Sequence, residues 1–373
     1  MLAAAAITAT IALARANAIS LRWRASLGFG LGIGIRARTG ALPALVAATW
    51  RRVSLFLAAA VRSGIASAPP VRSLLLTMAP ADDRLLVISP VYNEADNLER
   101  TARSVASQSR PPDRWVVVDD GSSDGTLAAA RRLERELDFM TVLEAPQAAP
   151  PGTDNLALAR EAHAFNVGLQ HAGWQRYEFV GKLDGDVEIP SNWFEALIAR
   201  FEADERLGLA GGRLTEFDRS GWKVIPIPAN HVHGAVKLFR RECLDAIGGI
   251  PERLAWDTID ETYARMRGFE TRSYRDLIAR HHRPHGSADG RLRGRARHGE
   301  CAWILHYGLL WVALRSFKVA RVQPLGLSGA AFLFGYIRAA LRGVPQVQDR
   351  AFRRFVRNEL RARMLSPLRG GVG

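Results

Sequence analysis

Cysteine is scarce in this 373-residue chain, which contains only Cys243 and Cys301. Two cysteines cannot build a disulfide framework or a four-ligand zinc site. Stability must therefore come from an ordinary hydrophobic core, and a reducing compartment fits the composition. The sequence is 48% hydrophobic, which is enough for the core of one large domain or two smaller ones.

Acidic residues are absent from the beginning of the chain, where the first is Asp82. The segment before it is rich in Ala, Arg, Gly and Leu, and its apolar start lacks the basic residues that open a secretory signal. Met78 stands just before the first predicted strand and looks like a natural start. We therefore predict that residues 1–80 are a poorly ordered extension, with an amphipathic membrane anchor as the alternative.

Hydrophobic runs long enough to cross a bilayer are also lacking. A spanning helix needs about 20 apolar residues, whereas the runs at 301–314 and 325–337 have about 13 or 14. A marginal span at 323–341 stays open. Aromatic residues and arginines accompany both runs, which is typical of helices that lie in the membrane interface. We predict a helical, membrane-associating region at 291–366, whose basic tail from Arg350 binds acidic headgroups or packs on the preceding domain.

Positive charge, by contrast, is abundant. The chain has 51 Lys and Arg against 37 Asp and Glu, which gives a net charge of +14. Such a balance favours anionic partners, whether a membrane surface, nucleic acid or a phosphorylated substrate. It does not choose among them, and an arginine-rich composition bias explains it equally well.

Three short apolar runs each end in a polar, turn-forming cluster. They are Leu85–Ser89, Trp115–Val118 and Tyr177–Lys182. Short apolar runs followed by helical segments indicate buried parallel strands of an α/β sheet. Ligands bind beyond the carboxyl ends of such strands, so the acids at positions 119, 120, 184 and 186 should converge on one crevice.

The polar clusters carry three signatures in a fixed order. PVYNE occupies 90–94, DDGSSDGT occupies 119–126, and an Asp-Gly-Asp form of the DxD motif occupies 184–186. The ordered set resembles the family 2 glycosyltransferases with the GT-A fold, roughly from Arg84 to Arg283. The resemblance implies an α/β catalytic domain at 82–290, with a mostly parallel central sheet flanked by helices.

The resemblance also implies which residues bind the nucleotide sugar donor. The first loop would hold base and ribose, the paired acids would contact the base, and a later arginine and a small residue would face the phosphates and the sugar. These residues are Pro90, Tyr92, Asn93, Glu94, Asp119, Asp120, Arg160, Asp184 and Gly234. Asn93 as a helix cap and Arg160 as a plain surface residue remain open alternatives.

The Asp-Gly-Asp stretch is the candidate metal site. A nucleoside diphosphate leaves poorly unless its charge is neutralised, and hard oxygen ligands hold Mg²⁺ or Mn²⁺ for that purpose. The i, i+2 spacing places both carboxylates on one side of an extended chain. By resemblance, Asp186 ligates the metal directly, and Asp184 contacts the ribose or a metal-bound water.

An inverting transfer also needs a general base on the acceptor side. The family supplies it from a Glu-Asp motif at a helix start, whereas this chain has Asp260-Glu261, with Asp257 three residues earlier. We favour Asp260, then Asp257, then Glu261 as the base. The alternative is a group of acids that only stabilises the positive end of the helix.

The expected function is transfer of a sugar from a nucleotide diphosphate sugar to a polysaccharide or lipid-linked acceptor. We expect the protein at the cytoplasmic face of the membrane, bound peripherally or monotopically, and expect no nucleic-acid partner. A nucleotidyltransferase of related fold is one rival, but 90–94 is not a glycine-rich phosphate loop with a lysine. A membrane-surface scaffold that has lost catalysis is the other.

Three further segments are predicted from their composition. The stretch from Thr215 to Pro228 is polar and rich in turn residues, and indicates an acceptor-side loop. Thr271–Tyr274 should form an edge strand. The basic, glycine-rich stretch from Gly286 to Arg297 indicates a loop that folds over the diphosphate, lies on anionic lipid or serves only as a flexible linker.

Overall fold

The computed structural model describes residues 84–145, 159–218, 221–283 and 290–365. The extension predicted at 1–80 lies outside these ranges. The strands are β1 (Leu85–Val91), β2 (Arg114–Asp119), β3 (Met140–Glu144), β4 (Phe179–Leu183), β5 (Val187–Glu188), β6 (Leu207–Asp218), β7 (Gly221–Val224), β8 (Val236–Arg240) and β9 (Glu270–His281). The α-helices are α1 (Leu98–Ala106), α2 (Thr126–Glu136), α3 (Arg160–Ala172), α4 (Trp193–Ala203), α5 (Arg241–Ile247), α6 (Trp256–Met266), α7 (Arg291–Ile304), α8 (Leu309–Val319), α9 (Leu327–Leu341) and α10 (Arg350–Leu365).

The first half of the central sheet is parallel. Its strands lie in the order β3-β2-β1-β4. Every residue of β1 is buried, which explains why the strand reads as a continuous apolar run instead of an alternating pattern. The predicted strands are confirmed here, and the three polar clusters follow β1, β2 and β4 at one end of the sheet.

The second half of the sheet is largely antiparallel. Strand β8 pairs antiparallel with β4, and the order continues through β6 and β9 to β5, with β7 on β6. Two predictions are wrong here. The predicted loop at 215–228 begins with the end of β6 and the β7 hairpin strand, and the predicted edge strand at 271–274 is part of the twelve-residue β9, which lies between β6 and β5. Both segments contain short polar stretches, so their composition did not predict how they pair within the sheet.

Helices cover both faces of this mixed sheet. Residues of α1, α2 and α4 form one buried cluster with the sheet. Residues of α3 and α5, together with Trp256 at the start of α6, form the other. We call this second side the α6 face. Within it, Leu209 of β6 packs in the same cluster as Trp256.

Four helices follow the sheet. The loop predicted at 286–297 is wrong from Arg291 onward, because α7 begins there. Helices α7 and α9 cross closely: a Cβ on Gly299 would lie 1.9 Å from the Phe332 carbonyl oxygen, and one on Gly335 would lie 1.8 Å from that of Ala296. Glycine therefore permits a contact that no side chain could. Among the described residues, no helix combines the length and the apolar character that crossing a membrane requires.

Candidate functional site

Two loops at the carboxyl ends of β1 and β2 are tied together by hydrogen bonds. The Asn93 backbone N–H donates to Ser122 Oγ at 3.0 Å, and Asn93 Oδ1 accepts the Ser123 N–H at 2.8 Å. Asn93 has a φ of 54°, a conformation that asparagine tolerates better than most residues. Since α1 begins only at Leu98, Asn93 joins the two loops instead of capping that helix.

The paired acids after β2 each leave one oxygen available. Asp119 accepts the Gly121 and Ser122 N–H groups through Oδ2, both at 3.1 Å. Asp120 Oδ2 lies 2.8 Å from Arg160 Nε. Within the described part of the chain, Oδ1 of Asp119 and Oδ1 of Asp120 are buried and have no hydrogen-bond partner. Buried acceptors of this kind call for a donor from a ligand or from water.

Arg160 is buried, whereas the sequence left open that it is a plain surface residue. Its guanidinium lies 5.2 Å from the centre of the Tyr92 ring and also donates to the Asp120 carbonyl oxygen. Burial raises the pKa of Asp120, and the neighbouring Arg160 charge opposes that rise. Tyr92 is exposed, whereas Pro90 is buried within β1 opposite Val118. An aromatic ring, a cation and two acids therefore meet at one end of the sheet.

The first aspartate of the Asp-Gly-Asp motif is held by a buried lysine. Lys182 Nζ contacts carboxylate oxygens of both Asp184 and Glu161, and donates to the Gly234 carbonyl oxygen at 3.0 Å. Burial alone would lower the pKa of Lys182, but the Asp184 and Glu161 charges outweigh it and raise the pKa above its usual range. The lysine is therefore charged and ties Asp184 to the loop that carries Gly234.

The second aspartate lies among groups of both charges. Asp186 Oδ2 is 3.3 Å from His281 Nε2, and Arg283 bridges towards Glu94 at 2.8 Å. Burial, and after it the Asp186 charge, raise the pKa of Glu94 to about 7. Oδ1 of Asp186 is buried without a hydrogen-bond partner among the described residues. The donor set is carboxylate, as Mg²⁺ and Mn²⁺ require.

A complete protein cage for a metal is not formed here. In the described ranges, no group of three or more His, Cys, Asp or Glu side chains is arranged to hold an ion. Mg²⁺ is commonly held by only one or two carboxylates, with substrate phosphates and water as the remaining ligands. Asp186 and Asp184 are compatible with that pattern.

The three candidate bases differ sharply in burial. Asp260 is fully buried, and both of its oxygens accept from Lys237 Nζ at 2.8 Å. Glu261 is also buried and contacts His231 Nδ1 at 3.0 Å and the Val232 N–H at 2.7 Å. Asp257, in the first turn of α6, is partly exposed. Of the three acids, Asp257 is therefore the one whose side chain is not buried.

Trp256 links the two halves of the site. Its ring centre lies 5.1 Å from Lys182 Nζ and 5.2 Å from Lys237 Nζ, and a Cβ on Gly234 would lie 3.1 Å from the ring. Burial alone would lower the pKa of Lys237, but the carboxylates of Asp260, Glu261 and Asp257 raise it. Two buried ammonium groups thus flank one ring, and each is paired with an acid.

Sequence reasoning missed several of these residues. Lys182 and Lys237 occur inside strands, and charged residues inside an apolar run were a signal that they are buried and paired. His281 gave no comparable signal in the sequence. His281 contacts Asp186 because β9 is long enough to pair with β5. The short edge strand predicted at 271–274 did not include His281.

Comparison with known proteins finds a family model that matches this region. The model of glycosyl transferase family 2 matches residues 86–245. Glycosyltransferase AglE of Haloferax volcanii is 32% identical over 111 residues, which cover 29% of this chain and 32% of that protein. A poly-beta-1,6-N-acetyl-D-glucosamine synthase of Staphylococcus epidermidis is 30% identical over 122 residues, which cover 32% of this chain and 26% of the synthase. The chain therefore spans about a third or less of the length of these relatives.

Solved structures are similar at a lower level. The mannosyltransferase PcManGT from Pyrobaculum calidifontis, in complex with GDP-Man and Mn²⁺, has a TM-score of 0.45 at 21% identity over 85% of this chain and 93% of that one. GalNAc-T7, with UDP, GalNAc and Mn²⁺, has a TM-score of 0.49 at 14% identity over 76% of this chain and 57% of that one. Values at this level carry no residue-by-residue correspondence.

Proposed function

The chain belongs to glycosyl transferase family 2 through residues 86–245, and from this premise we propose that it transfers a sugar from a nucleotide diphosphate sugar to a glycan or lipid-linked acceptor, with inversion at the anomeric carbon. One observation carries the proposal. Three carboxylates at the carboxyl ends of the parallel strands β2 and β4, Asp119, Asp120 and Asp186, each keep a buried oxygen without a partner in the described part of the chain. A ligand that brings N–H donors and a metal-bound diphosphate would satisfy all three.

The base of the donor would lie against Asp120 and Arg160. A carboxylate accepts a ring N–H, and a guanidinium donates to a carbonyl oxygen. Uracil and guanine both offer a ring N–H beside a carbonyl, whereas neutral adenine and cytosine have no ring N–H on that edge. The pair therefore supports a uridine or guanosine donor over an adenosine or cytidine donor. Tyr92, already stacked on Arg160 at 5.2 Å, would pack on the base.

The diphosphate would lie beside the Asp-Gly-Asp motif. Asp186, with Asp184, would hold a Mg²⁺ or Mn²⁺ ion, which when bound offsets the charge that develops on the leaving diphosphate. The protein's own part is to keep Asp184 fixed through Lys182, which also holds the Gly234 carbonyl. That contact orients the loop that faces the donor sugar.

Asp257 is the proposed general base. It lies beside Gly234, whose Cβ would be 3.5 Å from the Asp257 Cβ, and it is the partly exposed acid of the three. It would take the proton of the acceptor hydroxyl as the oxygen attacks the anomeric carbon. Asp260 and Glu261 would support α6 from within, through Lys237 and His231.

A membrane surface is the proposed setting. Large apolar side chains on α8 and α9 are exposed, among them Leu310, Phe317 and Leu341. Arginines lie against exposed rings of the same helices, with Arg321 4.6 Å from the Phe317 ring centre and Arg338 5.7 Å from that of Phe334. Exposed apolar faces edged by arginine suit the interface of an anionic bilayer. We place this surface on the cytoplasmic face of the membrane.

A screen of nucleotide sugars tests the function. Purified full-length protein should release nucleoside diphosphate from a uridine or guanosine sugar in the presence of Mn²⁺, and excess chelator should stop the release. Asp186→Ala should abolish release while the protein stays folded, as circular dichroism would show. Release by Asp186→Ala, or in chelator, contradicts the metal-dependent mechanism. No release from any donor would favour a scaffold without catalysis.

A further inference from the structure

The hairpin of β6 and β7 presents an exposed aromatic surface that the proposed donor site does not use. Phe217 is 60% exposed and Trp222 is 37% exposed. Their ring centres are 5.6 Å apart, and the Trp222 ring is 5.2 Å from the His282 ring. We call these three residues the aromatic platform. Two large aromatic side chains that remain in water on a short hairpin indicate a binding role.

The strand registers place the platform on the α6 face of the sheet. Side chains alternate along a strand, and Phe217 is an odd number of residues from Leu214, which packs in the opposite cluster, so Phe217 lies on the α6 face. Trp222 is the cross-strand partner of Phe217 and shares its face. Arg280, the partner of Thr215 on β9, lies 5.5 Å from the Trp222 ring centre. Helix α6, with Asp257, covers the same side.

The platform is also adjacent to the proposed metal site. The His282 backbone N–H donates to the Asp186 carbonyl oxygen at 3.0 Å. His281, the preceding residue, places its side chain against the Asp186 carboxylate. The chain therefore passes from the metal site to the platform within two residues. A molecule lying on the platform would extend from the side of the site that carries Asp257, the proposed base.

Polar groups surround the three rings. Glu188 lies 2.9 Å from His282 Nε2 and 3.4 Å from Arg280. On the hairpin, Asp218 pairs with Lys223 at 2.7 Å. Rings bordered by carboxylates and cations offer an apolar surface together with hydrogen-bonding groups of both kinds, the mixture found in small-molecule sites with few polar anchors.

We propose that the aromatic platform binds a pyranose ring of a glycan acceptor, one or more sugars away from the hydroxyl that reacts. A pyranose has an apolar face of C–H groups, which carry a slight positive charge and pack against the negative face of an aromatic ring. Its hydroxyls would reach the surrounding carboxylates and cations. The inference rests on the proposed function and makes it more specific, because it selects a glycan over an acceptor that is bound only through its lipid.

Neutral pentasaccharides of N-acetylglucosamine, glucose or mannose are the probes. Without donor, saturation-transfer NMR should detect binding of one of these pentasaccharides to the wild-type protein. The Trp222→Ala and Phe217→Ala variants should each bind it about tenfold more weakly. With donor present, both variants should raise the acceptor KM by a similar factor and leave acceptor-independent donor hydrolysis unchanged. Trp222→Phe should restore most of the affinity. Phe334→Ala, which removes a comparably exposed ring from α9, is the matched control.

Several results would overturn the subsite. They are wild-type protein that binds none of the pentasaccharides, a Trp222→Ala variant with wild-type acceptor affinity, or loss of vesicle binding in that variant with sugar binding intact. The last result would make the platform part of a membrane contact. Absence of donor hydrolysis in the wild type contradicts the proposed function instead, and the NMR arm then decides the subsite alone.

Discussion

Single carboxylates in this molecule have different roles because their surroundings differ. Asp119 and Asp186 keep buried oxygens without partners in the described part of the chain, whereas Asp260 uses both oxygens on one lysine. An acid whose two oxygens are both paired inside the core contributes to the stability of the fold. An acid with an unpaired oxygen can instead bind a ligand. This distinction separates the proposed site residues from their neighbours more clearly than the sequence motif does.

The general base is tested by comparing two neighbouring acids. Asp257→Asn should lower turnover by about 10²–10⁴ with little change in donor KM or unfolding temperature, because the amide keeps the shape and cannot take the proton. Asp260→Asn should instead destabilise the fold, by as much as about 3–5 kcal/mol, since it removes the nearest carboxylate of buried Lys237, at 2.8 Å, and leaves Glu261, at 3.5 Å. Kinetics and thermal unfolding of both variants decide the matter. Loss of turnover in Asp260→Asn at wild-type stability would restore Asp260 as the base.

The ion pair of His231 with Glu261 should make stability depend on pH. Burial alone would lower the pKa of His231, but the Glu261 charge raises it above its usual value. The pair therefore adds stability below the unfolded pKa of about 6.5 and loses it as the pH rises through the folded pKa.

The unfolding temperature of His231→Gln, compared with wild type, reports this contribution. The deficit of the variant should be larger at about pH 6 than at about pH 9, with about 2–4 °C expected per kcal/mol lost. His171→Gln, on the exposed side of α3, should show no such difference. An equal deficit at both pH values would mean that His231 contributes only packing.

Among the elements, α8 and α9 are unusual for the apolar surface that they expose. Leu341 is 84% exposed, and Leu309, Leu310 and Phe317 are nearly as open. A continuous apolar surface on a monomer is costly unless something covers it. The short apolar runs in the sequence had already indicated helices of this kind, but only the structure separates their buried face, with Val312 and Phe332, from their exposed one.

Vesicle flotation tests this surface. Leu310→Glu and Phe334→Glu should each reduce binding to vesicles that contain phosphatidylglycerol, because a charge in an inserted apolar face opposes insertion. The unfolding temperature should stay near that of wild type, since both side chains are exposed. Phe217→Glu, a matched substitution on the β6–β7 hairpin, should bind vesicles normally. Equal binding by all the variants would show that α8 and α9 are not the membrane contact.

Over the whole molecule, local pattern predicted the parallel half well and the rest poorly. Leu85–Val91 and Arg114–Asp119 pair with each other and consist mostly of apolar residues, so the sequence of each predicts a strand without knowledge of its partner. Strands β6 and β9 pair through residues more than fifty positions apart and mix charged with apolar side chains. Their register decides where His281 and Trp222 lie. Neither segment alone predicts these positions, because they depend on how the two strands pair.

The last helix also supports the proposed catalytic helix. Phe352 of α10 is fully buried, and its ring centre lies 5.1 Å from that of Tyr263 on α6. Arg265 of α6 contacts Glu359 of α10 at 2.9 Å. The basic tail thus packs on α6 and does not stand apart from it. Asp257 is in the first turn of the helix that this contact holds.

Phe352→Ala should therefore affect α6 and turnover, although Phe352 itself lies in α10. Removing a buried ring costs about 3–5 kcal/mol, and the loss should appear first where α10 meets α6. Hydrogen exchange should speed up in both helices and stay slow in β1 and β2, which share no contact with the ring, while turnover falls. Arg357→Ala, on the exposed side of α10, should change neither exchange nor turnover. A Phe352→Ala protein in which α10 loses protection while α6 and turnover stay normal would show that the two helices unfold independently.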